Sequence, residues 1–222
     1  VRVRTREGEK IGKMASAKSM KATGRPAAPL AEGGGLAELF AALKGRAMPP
    51  VHLWHPACCG DIDIRIARDG TWYYMGTPIG RPAMVRLFAS VLRLEADGRH
   101  YLVTPVEKVG IKIEDAPFLA VEMLAEGAGR EQRLSFRTNV DDVVSADAGH
   151  PIRVDETPEG PSPKLMVRDG LEALIARPLF YDLVALAEPD PSGPEDQIGV
   201  WSGGLFFPLG RNSWDPGWTT IV

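Results

Sequence analysis

Cysteine is almost missing from this chain of 222 residues: there are two, and they are neighbours, Cys58 and Cys59. Adjacent cysteines cannot tie distant segments together, so a disulfide-built secreted scaffold is excluded and a reducing, cytoplasmic setting is expected. Histidine is scarce too, with four residues, which leaves few ligands for a metal centre. No run of 18 or more apolar residues occurs. The nearest stretch, Leu171 to Ala187, is broken by Glu172, Arg177, Pro178 and Asp182, so no membrane-spanning helix is predicted. Neither Gly-Lys-Ser or Gly-Lys-Thr of a phosphate loop nor Gly-x-Gly-x-x-Gly is present, and the usual glycine cradles for nucleotide phosphates are therefore lacking. Gly199-Val200-Trp201-Ser202-Gly203-Gly204 resembles a nucleophile elbow only loosely, because valine stands where Gly-x-Ser-x-Gly needs glycine. No serine triad is indicated.

What the chain does contain is an ordinary globular composition, 44% hydrophobic and 25% charged, enough for one large domain or two small ones. Its charge is uneven. Residues 1–46 carry 10 Lys or Arg against 4 Asp or Glu, a balance of +6, which leaves 16 against 25, or −9, in the remainder. The first thirty or so residues have almost no bulky apolar side chains to offset the entropy of ordering, so a flexible basic tail is expected over 1–35. The acidic body argues against general nucleic-acid binding.

Leu36, Leu39, Phe40 and Leu43 have helical spacing. Asp61 to Ile66 alternates strictly, with three isoleucines on one face and Asp61, Asp63 and Arg65 on the other, and predicts a strand. Arg68-Asp69-Gly70 supplies a turn into a second, aromatic strand, Thr71 to Met75. Gly80-Arg81-Pro82 opens a helix expected to end near Leu94. Strands follow over 100–106, 109–113, 118–124 and 133–138, then a proline-containing loop, Asp155 to Pro163. Leu171 to Leu186 reads as a helix interrupted at Pro178, and Gly203-Gly204 joins a closing hairpin. An internal repeat pairs Ile79, Arg81, Pro82, Leu87, Phe88 and Ala89 with Ile175, Arg177, Pro178, Leu183, Val184 and Ala185, and Arg68-Asp69-Gly70 with Arg168-Asp169-Gly170. A duplicated unit is expected.

The string Trp54-His55-Pro56, Gly60-Asp61-Ile62-Asp63-Ile64-Arg65-Ile66, Asp69-Gly70-Thr71-Trp72-Tyr73-Tyr74, Pro78-Ile79-Gly80-Arg81 and Leu87-Phe88 resembles the bacterial family called domain of unknown function 1285. Thr104-Pro105-Val106-Glu107-Lys108-Val109-Gly110, Phe136-Arg137-Thr138-Asn139 and Gly199 to Gly204 extend the resemblance to about Leu36 to Gly210. It implies a two-domain α+β protein with internal duplication, whose C-terminal domain is similar to pleckstrin-homology-like folds. It also brings the proposals made for that family, a nucleotide-like ligand between the domains and a role in signal transduction. The expected division is a tail over 1–35, α+β domains over 36–103 and 104–212, and a C-terminal tail over 213–222.

Polar residues on otherwise apolar strands supply the candidate site: Asp63, Arg65, Glu107, Lys108, Arg137, Thr138 and Asn139. Arginine, lysine, threonine and asparagine together suit phosphate or carboxylate oxygens, with the acids pairing the bases when the site is empty. A non-catalytic binding module for a small anionic ligand at the domain interface is the leading expectation, without cofactor, metal, membrane or nucleic-acid partner. Two alternatives stand beside it. One is a metal- or thiol-dependent enzyme built on His52, His55, Cys58 and Cys59; the other is a protein-interaction module with Trp54, Trp72, Trp201, Phe206 and Phe207 on its surface.

Overall fold

The computed structural model describes residues 48–211 apart from 159 and 195. The expected basic tail, the helix over Leu36 to Leu43 and the C-terminal tail lie outside the described residues.

The alternating isoleucines form β1 (Cys58–Ile66), with Ile64 and Ile66 buried and Asp61 and Asp63 exposed. After it come β2 (Trp72–Tyr74), β3 (Thr77–Pro78), α1 (Pro82–Ser90), β4 (Leu92–Leu94), β5 (His100–Val103) and β6 (Lys108–Ile113). Their sheet runs β3-β2-β1-β6-β5-β4. Each neighbouring pair is antiparallel except β1 and β6, which run parallel at the centre. The second half supplies β7 (Phe118–Glu126), β8 (Arg133–Thr138), β9 (Val143–Ser145), β10 (Ile152–Thr157), β11 (Gly160–Arg168) and β12 (Leu171–Ile175), in the order β10-β11-β12-β7-β8-β9. Here too one parallel pair, β7 with β12, joins two antiparallel meanders. Renumbered within each half, the two sheets have one and the same strand order.

After the second sheet come α2 (Arg177–Val184), β13 (Glu188–Pro189), β14 (Gln197–Ser202) and β15 (Leu205–Arg211), the last three forming a small third sheet. The connection from β9 to β10 is short and closes on itself, Asp147 and His150 exchanging backbone hydrogen bonds of 3.3 and 3.2 Å. Such a link cannot cross the width of about 24 Å that six flat strands occupy, so the sheet curls. The third sheet is pinned to the β8 side of that curl. The buried Ser202 hydroxyl donates to Ala146 O at 2.7 Å and accepts from Leu134 N at 2.9 Å, and Gln132 Nε2 donates to Trp201 O at 2.8 Å. One contiguous apolar core runs through both halves, from Ile64, Ile66, Trp72 and Phe88 to Phe118, Phe136, Leu165 and Leu179.

Several expectations are corrected. Strands make up 49% of the described residues and helices, 3-10 turns included, 14%, so the protein is mostly β and not α+β. Nor does the second half take a pleckstrin-homology-like form: it repeats the sheet of the first, with a parallel pair at its centre. Leu171 to Ile175 is a strand, because Leu171, Ala173 and Ile175 alternate into the core while Glu172 and Leu174 do not. The segment read as a proline loop is a hairpin, β10 with β11. Pro161 and Pro163 are tolerated there because pairing with β12 begins only at Lys164. The first helix ends at Ser90, and Leu92 to Leu94 is β4. Duplication is present, but its equivalences differ from those read in the sequence. Arg81-Pro82 opens a helix that links two meanders, whereas Arg177-Pro178 opens one that leaves the completed sheet.

Candidate functional site

The two Arg-Asp-Gly turns face opposite halves of the molecule. The first, between β1 and β2, presents Gly70 O to Asn139 Nδ2, which donates at 3.1 Å, while Asn139 Oδ1 accepts from Leu119 N at 3.0 Å. The second, between β11 and β12, sends Arg168 the other way. Its guanidinium pairs with Asp142, donates to Ala89 O on α1 at 2.8 Å and covers the Phe118 ring at 4.8 Å. Arg86 of α1 adds a bond of 2.8 Å to Asp141. The link between the sheets is held from both sides as well. Asp115 contacts Arg68 Nε at 3.3 Å and Lys164 Nζ at 3.0 Å, and Glu114 pairs with Arg65 and accepts from Arg68 N at 3.0 Å.

The seven residues singled out in the sequence fall into separate groups by their partners. Arg65 rests on the Tyr73 ring at 4.2 Å and pairs with Glu114. Asp63 is exposed on the same strand with no side-chain bond among the described residues. Lys108 lies 3.5 Å from Glu95 and 4.8 Å from the Tyr101 ring, while neighbouring Glu107 uses its backbone to bond Thr104. Arg137, Thr138 and Asn139 stay together at the end of β8, but in different roles. Arg137 bonds Glu122 at 2.9 Å and Asp141 at 2.8 Å. Thr138 is fully buried, its hydroxyl accepting from Val140 and Asp142 N–H groups, and Asn139 clamps the two halves.

A recess of about 480 Å³ opens where the halves meet, lined by Arg68, Pro161, Pro163, Leu174, Ile175, Arg177, Phe180 and Tyr181. Two guanidinium groups share it with an aromatic and aliphatic floor, and no carboxylate is among its lining residues. The side chain of Arg177, the first residue of α2, makes no ion pair or hydrogen bond with the described residues, and Tyr181 is 65% exposed. Between the two lining prolines sits Ser162, 1% exposed, with a hydroxyl that has no partner. Arg68 and Arg177 were absent from the sequence-derived site, although each lies in a segment that the internal alignment pairs.

The alternatives fare differently. Both thiols are exposed and unpaired, and among the described residues no three His, Cys, Asp or Glu side chains are grouped to hold an ion. Trp72, Trp201 and Phe207 are buried, whereas Trp54 and Phe206 are half-buried and reach the surface. No helix among the described residues is long and apolar enough to cross a membrane.

Two family models divide the chain along this architecture. The N-terminal domain of DUF1285, a domain of unknown function, matches residues 49–116, and the C-terminal domain of DUF1285 matches residues 117–209. The chain belongs to the DUF1285 family. A crystal structure of a DUF1285 family protein from Silicibacter pomeroyi DSS-3 is 52% identical, with a TM-score of 0.73 over 82% of this chain and 97% of that one. Another, from Shewanella baltica OS155, is 30% identical, with a TM-score of 0.44 over 55% and 90% of the respective chains. No curated protein matches.

On the polar face of the first sheet of this DUF1285 chain, Glu95 accepts from Arg93 Nε at 3.0 Å and lies near Lys108. The Arg93 hydrogen bond, helped by the charges of Arg93 and Lys108, holds its carboxyl below the ordinary 4.5 against the opposing effect of burial. The unfolded chain takes up that proton first as pH falls. Stabilisation is therefore complete above the ordinary value and is lost as pH drops through the lowered, folded one. Glu95→Gln should flatten the fall in urea midpoint between about pH 5 and pH 3; an acid limb as steep as that of the parent protein would refute this.

Proposed function

We propose that this protein is a binding module for a small anionic, nucleotide-like ligand in the recess between its two halves. One observation carries the reading: Arg68 and Arg177 come from opposite halves and line one recess whose remaining walls are apolar or aromatic. Guanidinium forks match phosphate oxygens in two-point geometry, and an exposed tyrosine beside a half-buried phenylalanine offers a face for a planar ring. Asp115, already bonded to Arg68, serves as internal counter-ion while the recess is empty. Clefts between domains are favoured ligand sites. A role in signal transduction follows if filling the recess changes how the halves are held, since Arg68 also contacts the segment that joins them.

Calorimetric titration with ADP, pyrophosphate and adenosine tests the reading. ADP is expected to bind more tightly than either fragment, because only it uses the cations and the aromatic wall together. Arg177→Ala should weaken ADP at least tenfold, about 1.4 kcal/mol, and Tyr181→Ala should remove the advantage of ADP over pyrophosphate. Binding that survives both substitutions unchanged would place the ligand elsewhere and sink the proposal.

A further inference from the structure

The polar face of the first sheet carries a second recess, of about 440 Å³, lined by Arg65, Gly98, Arg99, His100, Ile111, Lys112, Ile113 and Glu114. Every lining residue belongs to the first half, so this recess is independent of the cleft between the halves. Its charge is lopsided: of three permanent cations, Arg65 is paired with Glu114 and Arg99 with Asp61, which leaves the charge of Lys112 in excess. That excess lies in a body whose overall balance beyond residue 46 is −9.

The fold creates this excess at some cost to itself. Parallel pairing of β1 with β6 sets Arg65 directly beside Lys112, and like charges facing each other across a ladder are destabilising. Glu114 relieves only part of the repulsion, since it is shared between the Arg65 guanidinium and the Arg68 backbone N–H. The Lys112 side chain is exposed and makes no ion pair or hydrogen bond with the described residues.

The two arginines are held in position beforehand. Arg65 lies 4.2 Å from the Tyr73 ring, and Arg99 lies 5.4 Å from the Tyr101 ring while bonding Asp61 at 2.6 Å. That Asp61–Arg99 pair lies across the bare backbone of Gly110, where any Cβ would collide with Asp61 Oδ1. Cations fixed in place lose little side-chain freedom when an anion arrives, which favours binding.

We propose that this recess is a phosphate-binding site, taking a doubly charged phosphate group between Arg65, Lys112 and Arg99. The dianion neutralises the facing Arg65–Lys112 pair, which a single carboxylate cannot do, and two forks plus one ammonium can satisfy its oxygens.

Inorganic phosphate, titrated into the uniformly ¹⁵N-labelled full chain at constant ionic strength, is the test. Amide shifts are expected at Arg65, Arg99 and Lys112, saturating in the millimolar range and at least fivefold weaker in Lys112→Gln. Lys112 has no partner to lose, so that variant should fold as the parent does. Repetition with glycerol 3-phosphate distinguishes free phosphate from a phosphate ester: equal or tighter binding of the ester points to a phosphorylated metabolite, and loss of binding to the free ion. Arg177→Ala, in the other recess, should leave the phosphate titration unchanged. Shifts confined to Arg68 and Arg177, or an unaltered response in Lys112→Gln, would overturn the second site while leaving the cleft reading intact.

Discussion

Replacing Arg168 with leucine is expected to lower stability by about 2–4 kcal/mol, one of the larger losses available from any single side chain outside the apolar core. The guanidinium ties α1 of the first half to two places in the second sheet: it reaches the Ala89 carbonyl at the end of α1, Asp142 beyond β8, and the Phe118 ring at the start of β7. It is about one-fifth exposed, 21%, and Asp142 28%, so water only partly replaces what is lost. Leucine would fill much of the space over Phe118 and leave the Asp142 carboxylate and the Ala89 carbonyl without this partner. Lysine should rescue only part of the loss, because a single ammonium cannot reproduce the fork that spans carboxylate and carbonyl together. Urea unfolding decides the matter. A loss below about 0.5 kcal/mol for Arg168→Leu would mean that the junction is held by apolar contacts alone.

Arg168 also shows how far the sequence could be read. Its tripeptide, Arg168-Asp169-Gly170, is visible as a turn and as a partner of Arg68-Asp69-Gly70, and both are turns. The alternating isoleucines of β1 and the Gly203-Gly204 turn, with φ of 58° and 79°, were equally legible, since period two and paired positive φ have few other meanings. The spacing Leu171, Leu174, Ile175 is that of a helix, and it masked the alternation of Leu171, Ala173 and Ile175 because alanine is a weak apolar signal and the short run gave no length to arbitrate. Pro161 and Pro163 hid β11, as prolines do wherever one flank of a strand is unpaired. The true duplication was invisible for a deeper reason. A strand order is set by backbone hydrogen bonds and by which face is apolar, and neither requires the same residues in both copies. Of the candidate site, Arg65 was legible from the polar face of β1. Arg68 and Arg177 were not, because nothing local records that a turn of the first half and the start of a helix after the second sheet line one recess.

The two Arg-Asp-Gly turns make opposite demands on their glycines, and this yields the other large effect. Gly70→Ala is expected to cost about 3–4 kcal/mol, against about 1–2 kcal/mol for Gly170→Ala. Both glycines have positive φ, 81° and 79°, so the backbone strain of an alanine is common to the two. What differs is the neighbour. A Cβ at Gly70 would come within 2.6 Å of Asn139 Nδ2 and 3.2 Å of Leu119 Cβ, whereas at Gly170 it would meet Leu94 Cδ2 at 3.0 Å. Leu94 can turn a flexible methyl aside. Asn139 cannot move without giving up both its bond to Gly70 O and its bond from Leu119 N, which together join the halves. In an Asn139→Ala background the closest collision disappears, and Gly70→Ala should then cost only the backbone strain and the tighter contact with Leu119 Cβ. The double-mutant cycle should accordingly show a coupling of at least about 1 kcal/mol. Strictly additive losses, or equal costs at the two glycines, would show that the Asn139 amide is free to swing away and that the first turn is not a clamp between the halves.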